Sequence, residues 1–499
     1  MFKLSDVNAK TKEADEKHSS SNKAHKHGLQ YIPDTAIVVL MGVILFWGAT
    51  SQFPNQFNDA TRYQCYAVAF WQGTPGLAAL PPKQCDFLNA STSSTLAQKL
   101  KEQGFPALLV SLAASQNTSQ PLHLLPPEYP LLTILPFSLA LVVPPQWYQV
   151  AFAICMALVA GVMYFVLKRY RARSAAMAFA AYLVIGSWAL AETRFDLITA
   201  GLTLGAVLLA ARARWKWAFT LLALGTLLKF YPVILIPPLL IAQQLQSKSK
   251  WNSWQRWQSL GVFAAICAGV TAFSLILNVV DTLSPFRYFF SRPIQLESSP
   301  ATLVWLGSFL GYPIQYVFTF QSNNVLSPLA SKISILSTVC LVAALLYTFW
   351  LQWRGKIDIF MSSLLTLLIV IAAGKVFSPQ YLIWVAPLVA YVGKSNWKWL
   401  ISWGSVALLT TIIFPFIYNS LAEILQFYFF VVARDALMVA IVLVLLYAAT
   451  RNKPSITVRS QDNSLTRGWK NFFIFIDFHS HFPVKCRHEI KPVCKESWD

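Results

Sequence analysis

Apolar runs long enough to cross a lipid bilayer recur along most of the chain and limit its possible folds. A span needs about 17–25 mostly apolar residues, and 56% of the 499 residues are hydrophobic while 12% are charged. Soluble domains carry about 25% charged residues. The sequence therefore predicts an all-α polytopic membrane protein with about 12 transmembrane helices. The predicted spans are about 32–50, 148–167, 173–191, 197–211, 216–228, 231–245, 258–278, 333–352, 357–373, 381–393, 398–417 and 426–449.

The basic residues lie mainly in short connections between these spans. The net charge of +19 raises the question of nucleic-acid binding, but loop Lys and Arg are better explained by the positive-inside rule. No nucleic-acid partner is expected. Alternation of the spans puts the basic connections on one side, which is therefore predicted to be cytoplasmic; they are 168–173, 212–216, 248–256, 354–356 and 394–398.

This charge pattern divides the chain into three parts. Residues 1–30 are predicted to form a cytoplasmic tail, residues 31–450 the transmembrane domain, and residues 451–499 a second cytoplasmic tail. No cleavable signal peptide is expected, because about thirty polar residues precede the first apolar run. Residues 51–147 form a long first outer loop in this scheme.

The stretch "YPLLTILPFSLALVV" at 129–143 is apolar but does not fit as a span. Counting it would invert every later connection, and it is short and contains two prolines. It is predicted to be an interfacial or re-entrant segment on the outer side. The stretch "KVFSPQY" at 375–381 also falls outside, and Pro379 is expected to prevent a continuous helix there. Irregular polar backbone at this depth requires cover by protein or a water-filled cavity.

Several polar side chains of the outer side are candidates for a site. Asp59 is either a helix cap or loop acid, or a general base that takes a proton from a hydroxyl group. The outer side also carries cations at helix ends, each of which is either an ordinary snorkelling residue or part of a site for an anionic ligand such as a phosphate; these are Arg194, Lys229, Arg292 and Lys375.

Carboxylates and neutral polar groups accompany these cations. Asp196 lies two residues after Arg194, and Glu297 lies five after Arg292, so structural ion pairs are one interpretation of both. Neutral donors and acceptors suited to sugar hydroxyls follow in the same stretches; these are Gln295, Gln380 and Tyr381.

The seven cysteines suggest different roles by position. Cysteines inside apolar runs are expected to be packing residues; these are Cys155, Cys267 and Cys340. Cys65 and Cys85 share the first outer loop and are able to form a disulfide if that loop faces an oxidising compartment. Cys486 and Cys494 flank His488 in the tail, which is a weak metal signal and more typical of a plain tail.

No motif for a soluble nucleotide or a metal is present. The sequence contains no Walker A loop, no GxGxxG and no HExxH, and it has no Asp-x-Asp pair. No cofactor or metal is therefore expected, and a donor in the form of a metal-bound nucleotide is disfavoured.

From about residue 50 to 395 the chain resembles the GT-C superfamily of polytopic glycosyltransferases, and most closely glycosyltransferase family 87. The likeness rests on "FNDATRYQCYAVAFWQG", "EYPLLTILPFSLALVVP", "ETRFDLITAGLTLGAVLLAA", "LLALGTLLKFYPVILIPPLL", "RPIQLESSPATLVWL" and "KVFSPQYLIWVAPLVA". It implies a GT-C-type bundle whose first outer loop contains interfacial helices. It also implies a polyprenyl-phosphate-sugar donor, with mannose or another hexose or pentose as the sugar, and a lipid or glycan acceptor.

The resemblance implies a role for each candidate residue. Asp59 is the catalytic base, and the donor-binding residues are Arg194, Lys229, Arg292, Glu297, Lys375, Gln380 and Tyr381. The implied reaction is an inverting transfer in which fixed cations stabilise the leaving phosphate. The alternatives are a multi-pass transporter or lipid flippase, and a non-catalytic scaffold. Against a transporter, the sequence shows no internal repeat, and its charges gather at one surface.

Overall fold

The computed structural model describes residues 33–53, 58–88, 93–418 and 424–452. The predicted tail at 1–30 and nearly all of the predicted tail at 451–499 lie outside the described residues. Cys486, His488 and Cys494 therefore also lie outside them.

The α-helices of the described residues are, in chain order, α1 Pro33–Thr50, α2 Asp59–Gln72, α3 Ser93–Glu102, α4 Ala107–Ala114, α5 Ile134–Ser138, α6 Tyr148–Tyr170, α7 Arg173–Ser187, α8 Asp196–Ala210, α9 Trp215–Leu228, α10 Ile236–Gln246, α11 Trp254–Leu277, α12 Val279–Ser291, α13 Ser299–Ser308, α14 Ala330–Trp353, α15 Ile359–Ala373, α16 Tyr381–Gly393, α17 Trp397–Thr411 and α18 Ile424–Arg451. Each predicted span contains an α-helix whose ends lie within about five residues of the predicted ones, and six further helices, α2 to α5, α12 and α13, lie between the predicted spans.

Six helical segments of the described residues are long and apolar enough to cross a membrane. They are Pro33–Thr50, Pro145–Tyr170, Trp254–Leu277, Ala330–Trp353, Trp397–Ile417 and Ile424–Arg451. An integral membrane protein is thus supported by length and composition, while the count of twelve spans stays a prediction. Shorter apolar helices of 13 to 15 residues accompany them; these are α7, α8, α9, α15 and α16.

The short helices occupy the interior of the bundle. Helix α16 packs against α7, α8 and α15, and its residues are buried on nearly every side. By contrast, only 6% of the apolar window of α14 is buried within the protein. A helix that is apolar all round must be surrounded by protein or by lipid. The interior helices therefore meet the first condition, and α14 presents its side chains to lipid.

The interior helices end at polar turns on the same side as α2. Residues 374–380 are non-helical between α15 and α16, as predicted from Pro379. Residues 188–195 join α7 to α8, and residues 229–230 follow α9. These turns and α2 place polar groups around one space between the helix ends.

The described part of residues 51–147, the predicted first outer loop, is largely helical. Helix α2 packs against α5 and α6, and a disulfide joins Cys65 on α2 to Cys85. The stretch at 129–143 forms one short helical segment, Leu131–Val142, in which 3-10 turns at Leu131–Thr133 and Leu139–Val142 flank α5. Cys155 and Cys267 pack against the main core, but Cys340 is exposed on α14, so the prediction that it is a packing residue is wrong.

Residues 279–329, which lie between the predicted spans at 258–278 and 333–352, contain helices and strands. Helices α12 and α13 are joined by strand β1, Ile294–Gln295, and a hairpin follows with β2, Gln315–Thr319, and β3, Ser322–Leu326. The three strands form an antiparallel sheet in the order β1-β3-β2. The all-α class is therefore wrong in this detail, because the fold is mostly helical with one small sheet.

The hairpin register and its packing fix this sheet against α18. Thr319 pairs with Ser322 next to the turn, where Phe320 and Gln321 have φ of 51° and 54°. Two successive residues in the left-handed region are typical of a tight two-residue hairpin. Leu296 and Val325 pack with Tyr428 of α18 in a second core.

Candidate active site

A cavity of about 640 Å³ lies between the polar helix ends. Residues from α2, the 188–195 turn, the β1 region, the hairpin and the 374–380 turn form its walls. The polar side chains that line it are Gln52, Asn58, Asp59, Arg62, Glu128, Tyr129, Thr193, Arg194, Tyr288, Arg292, Gln295, Glu297, Gln321, Ser322, Ser378, Gln380 and Tyr418.

Asp59 lies in the first turn of α2 and faces this cavity. The cap of α2 is Asn58, whose side chain accepts a hydrogen bond of 2.9 Å from the Thr61 amide. Asn58 also donates to the Gln52 carbonyl at 2.8 Å and to Gln149 at 2.7 Å. The helix is thus capped without Asp59, whose side chain remains 20% exposed.

Two arginines lie near the Asp59 carboxylate, one at ion-pair distance and one farther away. Arg194 Nη2 forms an ion pair with Asp59 Oδ2. Arg62 Nη1 lies 3.8 Å from Asp59 Oδ1, which is too far for a hydrogen bond. Arg62 instead bonds Glu128 at 2.6 Å. Burial opposes the charge of Arg62, but its attraction to Glu128 and other neighbours raises its pKa above the ordinary range.

Arg292 contacts a neutral hydroxyl and an aromatic ring. Its Nη2 donates to Ser322 Oγ at 2.8 Å, and its guanidinium lies 5.5 Å from the centre of the Tyr288 ring. Its Nε is buried without a hydrogen-bond partner. Across the described ranges no carboxylate pairs with Arg292. Three arginines line the cavity, and the other two each pair with an acid, so Arg292 is the one best suited to an added anion.

Lys375 and Arg292 repel each other electrostatically. Burial and the charge of Arg292 lower the pKa of Lys375 below its ordinary value. The β1 region and the 374–380 turn are joined through Gln295, whose main-chain amide donates to the Lys375 carbonyl at 2.9 Å. Lys375 does not line the cavity itself.

The 374–380 turn contributes Gln380 directly to the cavity. Its side-chain oxygen accepts a hydrogen bond from Arg194 Nη1, so Arg194 joins Asp59 to Gln380. Tyr381 does not line the cavity; its ring stacks on Trp384 with 3.9 Å between the ring centres.

Lys229 is placed behind the cavity wall. Its ammonium pairs with Asp196 at 2.7 Å and lies among aromatic rings, 5.1 Å from Phe195 and 5.2 Å from Trp384. Trp384 also donates to Asp196. The interpretation that paired Asp196 with Arg194 is therefore wrong, because Lys229 occupies Asp196 and Arg194 pairs with Asp59.

Glu297 lines the cavity but has a partner from α18. Its Oε2 lies 3.1 Å from Nη1 of Arg434, so an ion pair with Arg292 does not form. Burial raises the pKa of Glu297 to about 7, against the opposing effect of Arg434.

Three charged residues near the cavity were not identified from the sequence. Arg62 and Glu128 belong to no recognisable sequence motif. The spacing of three residues between Asp59 and Arg62 on one helix was the available signal. Arg434 carried a signal, because an Arg-Asp pair inside an apolar helix is costly and indicates a role. In the described part of the chain, no three His, Cys, Asp or Glu side chains come together as a metal site.

The helices and the polar cavity at their ends define a polytopic membrane protein with a buried polar site. The chain matches the profile of glycosyltransferase family 87 over residues 129–379, half of its length, and it belongs to that family. It is therefore a membrane glycosyltransferase. Within the matched range lie Arg194, Lys229, Arg292, Glu297 and Lys375; Asp59, Gln380, Tyr381 and Arg434 lie outside it.

Among solved structures, the chain is similar to the crystal structure of ArnT from Cupriavidus metallidurans in the apo state, with 13% identity and a TM-score of 0.32, covering 78% of this chain and 75% of that chain. No curated protein matches the chain.

Proposed function

We propose that the protein moves a sugar from a polyprenyl-phosphate-sugar donor to a hydroxyl group of a lipid or glycan acceptor. The supporting observation is the pairing of charges around the cavity. One oxygen of Asp59 has no close hydrogen-bond donor, and Arg292 has no acidic partner among the described residues. A proton acceptor and an anion-binding group thus line the same cavity.

Arg292 is the proposed contact for the donor phosphate, with Lys375 adding charge behind it. An arginine fork matches the oxygens of a phosphate and binds it in a bidentate manner. A phosphate bound at Arg292 would also offset the repulsion between Arg292 and Lys375. Neither group then needs a metal to neutralise the anion.

In the proposed reaction Asp59 Oδ1 takes the proton of the acceptor hydroxyl. The acceptor oxygen forms a bond to the anomeric carbon, and the bond from that carbon to the phosphate oxygen breaks with its electron pair. The leaving polyprenyl phosphate carries the resulting charge, which Arg292 stabilises. Attack opposite to the leaving group inverts the anomeric carbon. Arg194, held by Gln380, fixes the orientation of Asp59.

The sugar is proposed to lie beside Gln380, whose amide nitrogen is able to donate to a hydroxyl while its oxygen holds Arg194. Tyr381 and Lys229 support this wall from behind: Tyr381 stacks on Trp384, and Lys229 neutralises Asp196. Because the basic connections lie at the opposite helix ends, the cavity is proposed to open to the extracytoplasmic side.

The substitution Asp59→Asn tests the base. It preserves the shape of the side chain and removes the proton acceptor, so transfer of radiolabelled sugar should fall by about 10²–10⁴-fold. Glu128→Gln is the matched control, because it makes the same change in an acid that also touches Arg62 and lines the same cavity. Glu128→Gln should retain most of the activity.

Three results would contradict parts of the proposal. Wild-type turnover in Asp59→Asn would remove Asp59 from the reaction. Equal loss in both variants would indicate that the charges only maintain the cavity. Movement of the labelled lipid across the bilayer without any glycosylated product would favour a flippase over a transferase.

A further inference from the structure

Arg434 lies fully buried in the middle of α18, a helix long enough to cross a membrane. Each nitrogen of its guanidinium donates a hydrogen bond. Nε and Nη2 donate to Asp435 Oδ1 at 3.1 and 2.9 Å, Nη1 donates to the Glu297 carboxylate at 3.1 Å, and Nη2 also donates to the Glu297 carbonyl. Its planar group lies 3.9 Å from the centre of the Phe377 ring.

A buried arginine with charged partners is energetically less favourable at a helix interface than apolar packing often is. Desolvating a charge costs several kcal/mol, and well-packed apolar residues are often equally or more stabilising in the same place. Charged residues within membrane helices therefore indicate a role beyond packing. Asp435 is itself held by Thr302 Oγ1 at 3.0 Å, which orients the fork of Arg434 toward Glu297.

The partners of Arg434 belong to the two turns that carry the proposed phosphate-binding cations. Glu297 follows β1 closely, and Arg292 lies two residues before β1. Phe377 lies two residues after Lys375, and its amide donates to Gln295 Oε1 at 2.9 Å. The Gln295 amide donates to the Lys375 carbonyl. One arginine on α18 thus contacts both turns, and Gln295 joins them to each other.

We infer that Arg434 is a positioning residue that holds Arg292 and Lys375 at the separation required by the donor phosphate. This inference rests on the proposed function. Arg434 acts through the Glu297 main chain and the face of Phe377, and it does not touch the substrate. Residue 434 lies outside the range matched by the family, so the inference concerns this chain's own C-terminal helix.

The test compares two buried arginines. Arg434→Met removes the fork, while Arg434→Lys keeps the charge without the planar geometry. The matched control is Arg256→Met: Arg256 also stacks on an aromatic ring at 3.9 Å and donates to main-chain carbonyls, but it lies on α11 away from the cavity. The measurements are the dependence of transfer on donor concentration, the affinity for polyprenyl phosphate, and hydrogen–deuterium exchange of residues 292–298 and 374–380.

Misplacement of groups in a site by about 1 Å can lower the reaction rate by about 10²-fold. We therefore expect Arg434→Met to lower kcat/KM for the donor by up to about 10²-fold, mainly through a higher donor KM, and to speed exchange in both turns. Arg434→Lys should recover part of the affinity. Arg256→Met should leave donor KM and the exchange of these turns unchanged.

Wild-type donor KM in Arg434→Met, or an equal loss in Arg256→Met, would overturn the inference. If Arg434→Met does not fold, Arg434→Lys decides, because wild-type KM in that variant would overturn the inference in the same way. A wild-type protein that binds polyprenyl phosphate but transfers no sugar would contradict the proposed reaction. Phosphate affinity and exchange would then still test the role of Arg434.

Discussion

Glu192 is a buried acid without a partner, and its titration should be visible in the stability of the protein. It lies in the 188–195 turn next to the cavity, fully buried, and neither of its carboxylate oxygens has a hydrogen-bond partner among the described residues. Burial raises the pKa of Glu192 from 4.5 to about 8. The folded protein therefore holds this group in its neutral form at pH 7.

The direction of the pH dependence follows from the pKa of Glu192 in the folded and the unfolded chain. In the unfolded chain the carboxyl ionises as the pH rises above 4.5, whereas in the folded chain it stays protonated up to about pH 8. Stability is thus lost as the pH rises between these values and changes no further above them. One pKa unit corresponds to about 1.36 kcal/mol, so the loss between pH 4.5 and pH 7 is at most about 3 kcal/mol.

Glu192→Gln removes this dependence, because an amide is neutral at every pH used. Relative to the wild type, the variant should gain up to about 3 kcal/mol of unfolding free energy between pH 4.5 and pH 7. Reversible unfolding by SDS in mixed micelles measures the difference. Glu102→Gln, which changes an exposed acid on α3, should show a difference that does not vary with pH. A flat difference for Glu192→Gln as well would refute the argument that this carboxyl is desolvated.

Two further predictions concern topology and the donor. Single cysteines at Ser91 and Ser464 should differ in labelling by an impermeant thiol reagent, because the charge pattern places the first position outside and the second inside; labelling of both in intact cells would refute the predicted sidedness. Lys375→Met should weaken donor binding and transfer together by about tenfold or more, and Lys375→Arg should retain part of both, because the charge near Arg292 is kept; an unchanged donor dependence would leave the phosphate to Arg292 alone.

The helices of the predicted spans were predictable because their signal is local. Each of them depends on a continuous apolar run, and the break between α15 and α16 depends on a single proline, Pro379, whose effect on the preceding turn is general. The short strands β1, β2 and β3 were missed, because strands of two to five residues carry almost no alternation. Their pairing depends on contacts that are distant in sequence.

The sequence predicted several of the polar residues that belong to the candidate site but not which of them form ion pairs. The charge rule identified Asp59 and Arg292 as polar groups on one side, and both line the cavity. Neighbours in sequence suggested a pair of Asp196 with Arg194, but the ends of α8 and α9 bring Lys229 to Asp196 instead. Ion pairs follow the meeting of helix ends in space, which sequence separation does not encode.

The short interior helices also determine how deep the cavity lies. At about 1.5 Å per residue, helices of 13 to 15 residues extend roughly 20–22 Å, whereas the hydrocarbon layer is about 30 Å thick. If their basic ends lie at one membrane face, as the charge pattern predicts, their polar ends stop several ångströms short of the other. The polar residues that line the cavity would thus lie below the lipid headgroups. Their depth below the headgroups would increase with acyl-chain length. Lipid thickness therefore becomes a physical control on how readily a water-borne molecule reaches the cavity.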